Sequence, residues 1–176
     1  MGNVYQALAQ YSEAKEYHEK ALIIRKKIFG EEHGDVAASY NNLGSVYQAL
    51  GQYNEAKEYH HKALIISKKI FGEEHGDVAT SYNNLGNVYQ ALGQYNEAKE
   101  YHDKALIIKK KIFGEEHGDV AASYNYLGRV YQDVGQYNEA KEYHDKALII
   151  KKKIFGEVQA QQGTDHQQKD IRGGAW

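Results

Sequence analysis

The chain contains no cysteine and no proline. Without cysteine there is no disulfide framework, no thiolate metal site and no cysteine nucleophile. Charge of a dominant sign is also missing. The 22 basic and 24 acidic side chains are interspersed, for a formal net charge of −2. Nothing in that balance draws nucleic acid or an anionic membrane surface. No apolar run approaches the ~20 residues of a membrane span, and the first residues lack the charged and apolar regions of a signal peptide. These absences lead to the expectation of a cytoplasmic protein with no nucleic-acid and no membrane partner.

What the chain does have is tyrosine, 16 of its 176 residues, and repetition. Gly2, Gly44, Gly86 and Gly128 are spaced by 42 residues, as are Tyr11, Tyr53, Tyr95 and Tyr137. Residues 35–76 and 77–118 differ at only four positions: Ala38/Thr80, Ser45/Asn87, His61/Asp103 and Ser67/Lys109. An internal period of this size means stacked supersecondary units.

Each unit reads as two helices. Val36, Tyr40, Leu43, Tyr47 and Leu50 alternate steps of four and three, which makes one apolar stripe over about Asp35–Leu50. Gly51 supplies a left-handed stop, and Asn54 is placed to cap a second helix over about Glu55–Phe71. Ala56, Tyr59, Ala63, Ile66 and Ile70 form its stripe, and Gly72 ends it. Glu55 and Glu58 lie at its positive end and Lys68 and Lys69 at its negative end, complementing the macrodipole. Ile65, Ile107 and Ile149 fall off the stripe. In a stacked array the second helix must also touch the next repeat, so these isoleucines are expected to widen its buried surface. Gly44, mid-helix, costs roughly 1 kcal/mol against Ala. Its recurrence in phase argues that two helices approach closely there.

"FGEEHGDVA" stands at 29–37, 71–79 and 113–121. Its Glu, His and Asp side chains are possible metal ligands. Yet one short turn cannot converge the three or four ligands of zinc or the six to eight oxygens of calcium. The expected reading is punctuation: a glycine stop, an acidic turn, and Asp35 capping or charging the start of the next helix. No metal or other cofactor is expected. His18, His60, His102 and His144 read as packed aromatic substitutes; no triad surrounds them, and no enzyme activity is expected.

Tyr40-x2-Leu43-Gly44-x2-Tyr47, followed by Ala56 and Ala63, resembles the tetratricopeptide repeat signature, W-x2-L-G-x2-Y with later alanines in a 34-residue unit. The 42-residue period with "NNLG" and "GEEHGDVA" is similar to the kinesin-light-chain type of that repeat. The resemblance spans about Gly2–Gly156. Tyr replaces the first Trp, His60, His102 and His144 replace a later aromatic, and Gly34, Gly76 and Gly118 stand where the kinesin-light-chain type often has Pro. The implied fold is all-α: a right-handed α-solenoid, or superhelix, of antiparallel helix pairs. It is expected over 1–156, with a polar tail over 157–176. The first unit lacks the equivalent of 35–43, so the chain reads as a fragment. The tail allows a short helix over 157–162, and its closing "GGAW" reads as an expression scar or an absorbance tag.

The resemblance implies a function as well. The first-helix face opposite the stripe lines the concave groove that holds peptides in the tetratricopeptide family. Here that face carries Asn41, Asn42, Ser45 and Gln48, then Asn83, Asn84, Asn87 and Gln90, then Asn125, Tyr126, Arg129 and Gln132. Amides both donate and accept, so they could grip a peptide backbone without reading much sequence. Arg129 is the single base there, too few for the carboxylate clamp some family members build. The expected role is a scaffold that binds a protein or peptide ligand, in its narrower form a kinesin-light-chain-like cargo adaptor. The alternative is a structural array that self-associates through exposed terminal repeats, by head-to-tail stacking or by swapping a repeat.

Overall fold

The two-helix unit is what the chain builds. The structure, a computed structural model, describes the backbone of residues 10–173 and the side chains of residues 10–156. Residues 1–9, where a truncated first helix is expected, and residues 174–176 of the expected scar or tag lie outside the described residues, as do the side chains of 157–176. Among the described residues seven helices follow one another: α1 Tyr11–Phe29, α2 Gly34–Ala49, α3 Tyr53–Phe71, α4 Gly76–Ala91, α5 Tyr95–Phe113, α6 Gly118–Asp133 and α7 Tyr137–Gly173. Among the described residues there is no strand. The chain divides into two compact units, Met1–Ile112 and Phe113–Trp176. In each, consecutive helices pack as antiparallel pairs, the building block of the expected all-α solenoid.

The stripes read from the sequence are the core. Val36, Tyr40, Leu43 and Tyr47 of α2 are buried with Ala56, Ala63 and Ile66 of α3. Leu22 of α1 and Val88 of α4 join them, so one core bridges successive repeats. Tyrosines account for much of the contact inside a pair. Tyr47 stacks on Tyr59 with ring centroids 5.0 Å apart, and Tyr89 on Tyr101 at the same spacing. Burial pushes the Tyr59 hydroxyl up to about 12, with Tyr47 adding to the shift.

Three details differ from the sequence reading. First, the widened surface of the second helix uses a different residue. Leu64 of α3 is 7% exposed and packs with Val78, Ala79 and Tyr82 of α4, whereas Ile65 is 65% exposed. Second, α3 starts at Tyr53 after Gln52, which makes no side-chain cap, so Asn54 lies inside the first turn. Third, the cap of each first helix is the histidine. Nδ1 of His33 accepts from the Asp35 backbone N–H at 3.2 Å, and His75 and His117 repeat the arrangement. Each of these rings also stacks on the phenylalanine that ends the preceding helix, Phe71 on His75 at 4.4 Å.

The acidic turn thus has a stated job for each residue. Gly72, at φ +81°, takes the left-handed conformation that stops α3, and its N–H closes on the Lys68 carbonyl at 3.0 Å. Glu73 pairs back to Lys68 of the helix just ended. Glu74 pairs forward to Lys111 of the next second helix, as Glu32 does to Lys69. Such exposed pairs contribute only a few tenths of a kcal/mol each. They set the direction of the chain more than its stability. At the fourth copy the pattern lapses: Gly156 lies within α7, which runs on to Gly173 and so passes well beyond the short helix expected over 157–162.

Candidate functional site

The first-helix face begins with the residues beside Gly44. A β-carbon at Gly44 would lie 2.6 Å from two ring atoms of His60, and one at Gly86 would lie 2.5 Å from His102. The glycines therefore exist to admit an imidazole ring between the paired helices. His60 and His102 are fully buried. Each ring is held by an asparagine one turn before the glycine. Nδ1 of His60 lies 3.0 Å from Oδ1 of Asn41, His102 is 3.2 Å from Asn83, and His144 is 3.0 Å from Asn125. The amide oxygen accepts, which puts a proton on Nδ1. Nε2 of His60 is buried without a hydrogen-bond partner among the described residues. Burial holds the His60 pKa down, at about 4, and neighbouring His61 lowers it further.

This network takes Asn41, Asn83 and Asn125 away from a ligand. Asn41 is committed at both ends of its amide, since Nδ2 also donates to Oγ of Ser81 in the next repeat at 3.3 Å. Asn83 is only 6% exposed. The expected asparagine ladder is therefore hydrogen-bonded to histidines, and Asn41 also joins its repeat to the next. The signal was present in the sequence: Asn41 and Gly44 lie one helical turn apart, with His60 in phase on the partner helix.

The other expected residues remain on the outer face. In the Met1–Ile112 unit, Asn42, Ser45 and Gln48 of α2 and Asn84, Asn87 and Gln90 of α4 are half-buried. In the Phe113–Trp176 unit, Tyr126 is half-buried and Arg129 and Gln132 are exposed. Ala122, Tyr126, Arg129 and Asp133, spaced by four, three and four, are the positions where α6 departs from α4. All four lie on one stripe of one helix. Uncharged amides and hydroxyls form the face in the first unit; an aromatic ring and both charge signs join it in the second. Among the described residues no group of three or more His, Asp or Glu side chains is placed to hold a metal ion, and no helix is long and apolar enough to cross a membrane.

Comparison with known proteins matches the geometry. The family model described as tetratricopeptide repeat matches residues 1–59, 35–106 and 77–153. No curated protein matches significantly. Among solved structures, BtubC (BKLC) from P. vanneervenii superposes with TM-score 0.80 at 29% identity, over 88% of this chain and 62% of that one. The nearly identical TPR-like repeats of a Podosopora anserina putative kinesin light chain give TM-score 0.72 at 35% identity, over 87% of this chain and 72% of that one. The apo form of RapI gives TM-score 0.75 at 25% identity, over 90% and 56%. The chain thus spans less than two thirds of the BtubC and RapI chains.

Proposed function

This chain belongs to the tetratricopeptide repeat family, and from that premise we propose that it is a scaffold binding a protein or peptide along the polar face of its first helices. The observation that carries the reading is the division of labour between adjacent asparagines. Asn41 and Asn83 hold the histidines, while Asn42 and Asn84, one residue on, make no such bond and are half-buried. Amides there offer both donors and acceptors to an extended backbone. Tyr126 and Arg129 would add the sequence preference in the second unit, through ring contact and a charged fork. The name of one structural neighbour, a putative kinesin light chain, favours a narrower form, a kinesin-light-chain-like cargo adaptor.

The test is to pan a peptide library against the chain and measure the selected peptides against Asn42→Ala/Asn84→Ala, both in the Met1–Ile112 unit. A loss of about tenfold or more in affinity is expected, because each truncation removes roughly 1 kcal/mol of direct contact. Peptides that bind the double variant equally well place the ligand elsewhere. Asn83→Ala is unsuitable for this purpose, since it strips His102 of its partner.

A further inference from the structure

Repetition lets one helix surface be compared with its counterparts. Leu64 of α3 and Leu106 of α5 are 7% and 8% exposed, whereas Leu148 of α7, at the same repeat position, is 48% exposed. Tyr53 and Tyr95 are half-buried, and Tyr137 is 69% exposed. On α3 the cover is supplied by α4. Val88 is buried in the core that Ala56 and Ala63 share, and Leu92 and Tyr53 both pack against that core. Tyr89 places its hydroxyl 3.4 Å from Nε2 of His61, with Lys57 over its ring. The matching surface of α7, with Tyr137, Lys141 and Asp145 exposed, has no such cover among the described residues.

The chain carries the sequence of that cover once more. Residues 2–8, GNVYQAL, are identical to 86–92. We propose that residues 2–8 of one copy seat on α7 of another, as 86–92 seat on α3. Two observations choose this occupant. The first is the fit of the residues. Val4 and Leu8 take the parts of Val88 and Leu92 over Ala140 and Tyr137, and Tyr5 takes the part of Tyr89 beside Lys141 and Asp145. An aspartate in place of His61 suits that tyrosine, because at the first junction Tyr47 donates to Glu19 at 3.4 Å with Lys15 over its ring. The second is the turn that would fold the segment back onto α1. Gly51, Gly93 and Gly135 take φ of +73°, +73° and +77° after the other first helices, and Ala9 stands at the matching place. A β-carbon makes that left-handed conformation costly, so exchange onto another copy relieves what the home turn must bear. Such a contact is heterologous: each copy offers one donor segment and one acceptor face. Seven residues fall short of the ~800 Å² per partner of a stable complex, which places association in the micromolar-to-millimolar range. They reach the Tyr137 end of the face and leave Leu148 in solvent.

Sedimentation velocity of the full chain from about 10 μM to about 1 mM tests this. The weight-average mass of the parent is expected to rise with concentration. Val4→Gln/Leu8→Gln removes the donor and keeps the acceptor; Tyr137→Gln/Asp145→Lys removes the acceptor and keeps the donor. Each should stay monomeric alone, and the two mixed in equal amounts should pair into a dimer and no further. Tyr137→Phe, which keeps the ring, and Leu148→Gln, beyond the segment's reach, should associate as the parent does. A constant monomer mass for the parent overturns the proposal. So does either double variant associating alone as the parent does, a mixture that stays monomeric, or loss of association in Tyr137→Phe or Leu148→Gln.

Discussion

Replacing Gly44 by alanine should destabilise the protein, against the ordinary expectation for a helix. At an unhindered interior position, Gly→Ala gains roughly 1 kcal/mol through helix propensity and a stiffer unfolded chain. Gly44 sits inside α2, so propensity alone predicts a gain. The new β-carbon, however, would stand 2.6 Å from Cε1 and Nε2 of His60 and 2.8 Å from Cδ2. The ring cannot swing away cheaply, because it is fully buried and tied to Asn41 at 3.0 Å. Overpacking costs about 1–3 kcal/mol. Pulling His60 off Asn41 leaves the buried His60 Nδ1 unpaired, for a further cost of about 1–3 kcal/mol. Against the propensity gain, the net loss is about 1–5 kcal/mol, centred near 3.

The assay is urea unfolding followed by helical circular dichroism, with Gly44→Ala made in the parent and in His60→Ala. In the parent the midpoint should fall by about 1–2 M, given a slope of about 1–3 kcal/mol per molar urea. With the ring removed, the same substitution has room and should raise the midpoint. The coupling energy, about 3–5 kcal/mol, is large for two residues in contact. A Gly44→Ala protein as stable as the parent refutes the wedge. Equal losses in both backgrounds also refute it, by tracing the cost to something other than the imidazole.

Three other outcomes are expected. The buried neutral His60 titrates near 4, held down first by burial and then by His61, against about 6.5 when unfolded. The unfolded chain therefore binds more protons between those values. Stability is intact above pH 6.5 and falls by roughly 3 kcal/mol as pH approaches 4; the difference in urea midpoint between parent and His60→Gln should narrow over that interval, and widening would contradict it. Asn41→Ala should cost about 1–3 kcal/mol by leaving His60 Nδ1 without an acceptor, while Asn42→Ala should stay within about 0.5 kcal/mol, as thermal melts of the pair can show. His75→Ala should lose about 1 kcal/mol with the helix cap, and His75→Ser, which restores an acceptor, should recover most of it in the same melts.

The contrast between Asn41 and Asn42 explains how much of the protein was legible beforehand. The apolar stripes placed Val36, Tyr40, Leu43 and Tyr47 correctly because a pair of helices buries one face of each, and a period of 3.6 residues reports that face. A helical wheel assumes a single neighbour, but α2 packs against α1 and α3 and also meets α4. Polar residues at the edge of the stripe then face protein. The wheel put Asn41 and Asn42 together opposite the core, yet Asn41 points to His60 and Ser81. The same geometry separates Leu64, buried by the next repeat, from Ile65, left in solvent. In both cases one residue of rotation, about 100°, decides the role. Gly44 carried the information needed to choose, because a glycine that costs helix stability in every repeat must make room for something. The ring it admits needs a partner for its N–H, and Asn41, one turn away, is the nearest amide on that side. Once Asn41 and its equivalents are assigned to the histidines, Asn42, Ser45 and Gln48 and their counterparts are the first-helix residues that the proposed ligand reading rests on.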